Sequence, residues 1–188
     1  MDVLVASDIF GHTPALDRLT RELDADLIEV IDPYGGKQTF LDEAEAHAFF
    51  SEHVGIPAYG KIIKKRLQKS YLPRILIGFS VGAAAIWHLS SDPAFAGIQK
   101  AFCFYGSQIR HHTEIQPEFD IHLIFPDSEP HFNLDLLMAN LDDKPGIFCH
   151  KASGGHGFMN KLSFNFDYSL YKACLEQLNT QLNTLLRI

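Results

Sequence analysis

The chain has 188 residues, 46% hydrophobic and 21% charged, with three cysteines and a formal net charge of −7. Its length predicts a single domain over 1–188, and its negative charge argues against nucleic acids and anionic membranes as partners. We expect no export signal, because the chain starts with only four apolar residues, and no membrane span, because no segment approaches 18 apolar residues. The unpaired cysteine spacing favours a reducing cytoplasm, with Cys103 and Cys149 as buried thiols.

Short apolar runs alternate with helical patterns through the first half of the chain. Thr13 and Pro14 are typical of the cap and first position of a helix. The pattern predicts strands over 3–6, 26–31 and 74–77. It predicts helices over 13–23 and 81–89, with one or two helices over 40–53 and 59–68.

The same alternation continues to the end of the chain. It predicts strands over 99–105, 121–125 and 146–149, and helices over 133–141 and 167–186. We therefore expect an α/β protein with a mostly parallel sheet of about six strands and helices on both faces. The strands are continuously apolar, which predicts that both sheet faces are covered. Ligands of such sheets bind beyond the carboxyl ends of the strands.

The segment Gly78-Phe79-Ser80-Val81-Gly82 stands between a predicted strand and a predicted helix. Strand, G-x-S-x-G and helix form the nucleophile elbow of an α/β-hydrolase, which holds the serine out at the top of the sheet. Ser80 is therefore the predicted nucleophile. A serine hydroxyl needs a base to take its proton, and the base needs a carboxylate to orient it.

The remaining parts of a serine hydrolase fall in the expected loops. His156 lies in a glycine-rich loop between the last strand and the last helix and is the predicted base. Two carboxylates, Asp127 and Glu129, follow the fifth strand, and the pattern alone does not choose between them. The oxyanion hole needs the N–H of Val81 and a second N–H from the loop over 7–11.

The sequence resembles the dienelactone hydrolase family of α/β-hydrolases. The resemblance spans nearly the whole chain and rests on four motifs in order: 8–11, 78–82, 101–106 and 152–158. It implies Ser80 as nucleophile, His156 as base, and Ile9 and Val81 as oxyanion donors. Matching Pro130-His131-Phe132 to the family pattern puts Glu129 in the acid position, with Asp127 as the alternative.

Glu129 departs from the family pattern, whose acid is an aspartate, and three other features depart from it too. Ser80 replaces the cysteine of the namesake enzymes, which favours ordinary ester hydrolysis. Asp8 stands where the family often has a glutamate that contacts the nucleophile. The family's first strands are missing, so the fold is expected to be N-terminally truncated, with an exposed sheet edge that favours a homodimer.

Together these residues predict a cytoplasmic serine hydrolase that cleaves a small carboxylic ester or lactone through an acyl-enzyme, without cofactor or metal. The stretch between Tyr105 and Ile121 is too short for a large lid. A catalytically inactive or regulatory binding protein with the same fold is the alternative. A metal site is a further reading, since some histidines lie near predicted strand ends. These are His111, His112, His122 and His131.

Overall fold

The structure is a computed structural model that describes residues 2–36, 38–69 and 73–186. Within these ranges, six parallel strands form one sheet in the order β2-β1-β3-β4-β5-β6. This confirms the predicted parallel sheet of about six strands. The strands are β1 (Val3–Ala6), β2 (Ile28–Ile31), β3 (Ile75–Phe79), β4 (Lys100–Phe104), β5 (Asp120–Phe125) and β6 (Ile147–Lys151).

The helices follow the predicted order, and two of them carry the predicted caps. The Thr13 hydroxyl accepts from the N–H of Leu16, and the Asn133 side chain accepts from the N–H of Leu136. The segment over 40–68 forms two helices that meet at Gly55, whose φ is +71°. The helices are α1 (Pro14–Arg21), α2 (Glu43–His53), α3 (Gly55–Leu67), α4 (Val81–Leu89), α5 (Leu134–Asp142) and α6 (Tyr168–Leu186), with short 3₁₀ helices at Pro93–Phe95 and Ser107–His111.

A hydrophobic core lies on each face of the sheet. Helices α2, α3, α4 and α5 cover one face, and α1 and α6 cover the other. Alternate side chains of a strand enter opposite cores: Leu4 of β1 packs under the first set of helices, whereas Val3 and Val5 pack under the second. In the described part of the chain, no helix is both long and apolar enough to cross a membrane.

The expectation that every strand is covered on both faces is wrong at β5 and β6. The α1/α6 core is built on β1, β3 and β4, so the same face of β5 and β6 is left partly open. Phe148 is 42% exposed there, and His150 is also exposed. Cys149 is half-buried, so only Cys103 of the two predicted thiols is buried. A groove of about 720 Å³ runs between this part of the sheet and α6.

Candidate active site

Ser80 stands in the tight turn between β3 and α4. Its φ of +50° and ψ of −110° place a non-glycine residue in strained backbone. A Cβ at Gly78 would lie 2.7 Å from backbone atoms of Ala83, and one at Gly82 would lie 2.5 Å from the carbonyl oxygen of Ala6. Both glycines of the motif are thus required by close packing of α4 against β3 and β1.

His156 contacts Ser80 at the edge of the sheet formed by the carboxyl ends of the strands. The distance from Ser80 Oγ to His156 Nε2 is 3.0 Å. The loop after β6 turns at Gly157, whose φ is +89°, and the side-chain amide of Asn165 donates to the carbonyl of His156 at 2.9 Å. The ring of Tyr105 lies against the imidazole, with 5.1 Å between ring centroids. These contacts fix the ring where it can receive the serine proton.

Glu129 contacts the other nitrogen of the same imidazole. Its Oε1 lies 2.8 Å from His156 Nδ1, and the side chain of Glu129 is only 6% exposed. A carboxylate can only accept, so Nδ1 carries the proton and Nε2 is left to accept from Ser80. The side chain of Asp127 points to solvent, while its N–H donates to the carbonyl of Gly154 at 2.8 Å. Asp127 therefore joins the acid and histidine loops through its backbone.

The two predicted oxyanion donors lie at the ends of neighbouring strands. Val81 is the first residue of α4, and Ile9 lies in the loop after β1. The Tyr34 hydroxyl donates to the carbonyl of Ile9 at 2.7 Å, and Gly11 turns that loop with a φ of +73°. Among the described residues, neither Ile9 nor Val81 donates its N–H to a protein group. Both N–H groups are thus free to bind a substrate oxygen.

Asp8 connects the loop after β1 to the histidine loop. Its Oδ1 accepts from the N–H of Phe10 at 2.9 Å, and its Oδ2 accepts from the side-chain amide of Asn160 at 2.6 Å. Burial raises the pKa of Asp8 to about 6. The sequence reasoning missed Asn160, whose one signal was its place shortly after His156. Asp8 organises the loop and makes no hydrogen bond to Ser80 among the described contacts.

Two of the histidines considered for a metal site, His122 and His112, each contact another histidine. His122 pairs with His150 on the open face of the sheet, at 3.0 Å between ring nitrogens. Burial lowers the pKa of His122 to about 4, so His122 is neutral at neutral pH. His112 packs against His88 near the end of α4. Within the described ranges, no three histidine, cysteine or acidic side chains are placed to hold a metal ion.

No family model matches the chain. One similar protein nevertheless places it in a family. It is 30% identical over 176 residues to the uncharacterized protein YczH of Bacillus subtilis (strain 168), covering 90% of this chain and 86% of that protein. The chain belongs to the YczH family.

Solved structures show which fold this YczH family member has. A putative dienelactone hydrolase from Klebsiella pneumoniae matches with a TM-score of 0.71 and 12% identity, over 96% of this chain and 85% of the other. The dienelactone hydrolase-like promiscuous phosphotriesterase P91, from metagenomic libraries, matches with a TM-score of 0.69 and 14% identity, over 98% and 86%. The resemblance predicted from the motifs is confirmed as a shared fold, the α/β-hydrolase fold of the dienelactone hydrolases.

Proposed function

We propose that this protein is a cytoplasmic serine hydrolase that cleaves a small carboxylic ester or lactone through an acyl-enzyme. The observation that carries the proposal is the unbroken line of contacts from Ser80 through His156 to Glu129, at 3.0 and 2.8 Å. Such a line is what a serine needs to become a nucleophile at neutral pH. The proposal is also supported by two proteins with the same fold, which are named as a dienelactone hydrolase and a dienelactone hydrolase-like enzyme.

In the acylation step, Ser80 Oγ attacks the carbonyl carbon while His156 Nε2 takes its proton. The carbonyl oxygen becomes an oxyanion between the N–H groups of Ile9 and Val81, each of which stabilises it by on the order of 3 kcal/mol. The ester C–O bond then breaks, and His156 gives its proton to the leaving alkoxide. A lactone opens in the same way, with its alcohol still attached to the acyl group.

In the deacylation step, His156 takes a proton from water, and the resulting hydroxide attacks the acyl carbon. The bond to Ser80 Oγ breaks, the serine regains its proton from His156, and the carboxylic acid leaves. Glu129 keeps its charge throughout and stabilises the imidazolium that forms in each step. The proton that leaves with the alcohol is replaced by one from water, so His156 ends the cycle as it began.

The substrate we propose has a small or exposed acyl group. The segment between Tyr105 and β5 holds only the short 3₁₀ helix Ser107–His111. A segment of this size cannot enclose a long acyl chain. Esters and lactones with short acyl groups therefore fit this site best.

Turnover of p-nitrophenyl acetate by Ser80→Ala tests this proposal. We expect the release of p-nitrophenol to fall to the uncatalysed background, since the variant lacks the hydroxyl that is proposed to form the acyl-enzyme. Ser91→Ala is the matched control, because Ser91 is exposed beyond the end of α4. Undiminished turnover by Ser80→Ala would show that Ser80 is not the nucleophile.

Labelling with a fluorophosphonate probe separates an enzyme from an inactive binding protein of the same fold. We expect one label per chain in the unmodified protein and none in Ser80→Ala. The probe reacts only with a serine whose proton is taken by a base. An unlabelled, folded protein would favour the binding-protein alternative.

A further inference from the structure

The N–H of Ile9, the predicted oxyanion donor in the loop after β1, belongs to the peptide group between Asp8 and Ile9. The carbonyl of that peptide group accepts from the N–H of Gly11 at 3.1 Å and from the hydroxyl of Ser7 at 3.2 Å. The C=O and N–H of a trans peptide group, such as this one, point in opposite directions. The Ile9 N–H therefore points away from the two donors that hold the carbonyl.

The next peptide group, between Ile9 and Phe10, is held at both ends. Its N–H donates to Oδ1 of Asp8 at 2.9 Å, and its carbonyl accepts from the Tyr34 hydroxyl at 2.7 Å. Among the described contacts of these two peptide groups, the one partner from another part of the fold is Tyr34, since the others lie within 7–11. The Tyr34 hydroxyl therefore connects the oxyanion loop to the segment that follows β2.

The ring of Tyr34 is fixed between this loop and α2. It packs edge-on against Phe40 and Phe49, with 5.3 and 5.6 Å between ring centroids. It also lies against the loop, because a Cβ at Gly11 would come within 2.8 Å of the ring. The N–H of Tyr34 donates to Oδ1 of Asp32 at 2.8 Å, which anchors its backbone. Ring and backbone together hold the hydroxyl in one position.

The Tyr34 hydroxyl keeps its proton and serves as the donor. Burial, and after it the charges of Asp8 and Asp32, raise the pKa of Tyr34 above its ordinary value. The phenol is therefore neutral at the neutral and mildly alkaline pH at which an imidazole acts as a base. A carbonyl oxygen can only accept, so the hydrogen atom between the two groups belongs to the tyrosine.

We propose that Tyr34 is a positioning residue, whose hydroxyl holds the loop after β1 with the Ile9 N–H free to bind the oxyanion. Without the hydroxyl, the peptide group between Ile9 and Phe10 can rotate. The preceding peptide group, which carries the oxyanion donor, moves with it because both are attached to the Cα of Ile9. The inference rests on the proposed function, since the oxyanion forms only if Ser80 attacks an acyl carbonyl.

Tyr34→Phe tests the proposal, because it keeps the ring and removes only the hydroxyl. For p-nitrophenyl acetate we expect kcat to fall about five- to tenfold with KM unchanged, as for the loss of one ordinary hydrogen bond. Complete loss of an oxyanion donor would cost more, about 10²- to 10³-fold in kcat. Tyr168→Phe is the matched control and should leave kcat unchanged, because Tyr168 is 62% exposed at the start of α6. An unchanged kcat in Tyr34→Phe would overturn the proposal.

Inhibition by trifluoroacetone separates a positioning role from a general loss of structure. Ser80 Oγ adds to the ketone carbon, His156 takes the serine proton, and the ketone oxygen becomes an oxyanion in the hole. This adduct resembles the transition state of acylation, whereas the bound ester does not. We expect the inhibition constant in Tyr34→Phe to rise by about the factor by which kcat falls. A fall in kcat with an unchanged inhibition constant would overturn the proposal.

Amide hydrogen exchange tests the position of the loop without turnover. The N–H groups of Phe10 and Gly11 donate within the loop, so they are protected while the loop is held. In Tyr34→Phe we expect both to exchange about five- to tenfold faster, with no change in Tyr168→Phe. Equal exchange in Tyr34→Phe and the unmodified protein would overturn the inference even if Ser80 is the nucleophile. Full turnover by Ser80→Ala would overturn the proposed function instead, while faster exchange would still show that Tyr34 holds the loop.

Discussion

Glu129 reaches the imidazole of His156 from a loop in which a second carboxylate points away. We expect Glu129→Gln to lower kcat about 10³- to 10⁴-fold, since the neutral amide neither stabilises the imidazolium nor enforces the tautomer. The measurement is kcat for p-nitrophenyl acetate. Asp127→Asn is the matched control, because the Asp127 side chain is exposed and its backbone contact survives the change. A comparable loss in Asp127→Asn would reverse the assignment of the acid.

Asp8 is the titratable group at this site whose burial has a consequence for stability. The pKa of Asp8 is raised from 3.8 to about 6, chiefly by burial and in smaller part by the charge of Glu43, and this net value includes the lowering by hydrogen bonds from Phe10 and Asn160 and by the charge of His156. Between about pH 4 and 6 the folded protein therefore binds more protons here than the unfolded chain does. The stability linked to Asp8 is fully present below pH 4 and is lost as pH rises through 6.

Asp8→Asn removes this titration. We expect the free energy of unfolding of Asp8→Asn, relative to the unchanged protein, to increase from about pH 4 to about pH 7. The slope is at most about 1.4 kcal/mol per pH unit, the value for one proton. Urea unfolding of both proteins at several pH values measures the difference. A difference that does not vary with pH would show that Asp8 titrates alike in both states.

At the scale of elements, the contact of α4 with β1 sets the position of the elbow. Gly82→Ala puts a methyl group 2.5 Å from the carbonyl oxygens of Ala6 and Ser7, which are backbone atoms and cannot turn aside. We expect a loss of about 1–3 kcal/mol in the free energy of unfolding, as for overpacked cores, together with a fall in kcat. Urea unfolding and kcat are the measurements.

Gly60→Ala is the matched control for this prediction. Gly60 lies in the interior of α3, and no atom comes within 4 Å of a Cβ built there. The same substitution is expected to stabilise the protein by about 0.4–1 kcal/mol, because alanine loses less backbone freedom on folding. Equal effects of the two changes would show that close packing at Gly82 is not what requires glycine.

Most elements were predictable because their signals are local. Apolar runs and caps such as Thr13 predicted every strand and α-helix to within a few residues, but not the short 3₁₀ helices Pro93–Phe95 and Ser107–His111. The open face of β6 was not predictable: Ile147 and Cys149 turn to the core and Phe148 turns away, but all three are apolar in sequence. Pattern alone could not separate Asp127 from Glu129 either, because loop geometry decides which carboxylate reaches the histidine.

Contacts between distant residues left no signal in the sequence. Asp8 and Asn160 are 152 residues apart, and their hydrogen bond exists only because the loops after β1 and β6 lie at the same edge of the sheet. Topology predicts that these loops lie on that edge, but the contact depends on rotamers and loop lengths.

At the scale of the whole molecule, the central strands belong to both cores. Leu76 of β3 packs on the face of α3 and α4, while Ile75 and Ile77 pack under α1 and α6. A change in one core is therefore transmitted to the other through the sheet. The protein should unfold as one cooperative unit, as a single domain does.

Leu182→Ala measures this coupling. Leu182 is fully buried in the α6 core, whereas Trp87, the single tryptophan, is buried in the opposite core. We expect a loss of about 2–5 kcal/mol, seen equally by tryptophan fluorescence and by far-UV circular dichroism during urea unfolding. Leu136→Ala, at a leucine that is 60% exposed on α5, is the matched control and should change stability by less than about 0.5 kcal/mol. An unchanged Trp87 transition in Leu182→Ala would mean that the two faces of the sheet unfold independently.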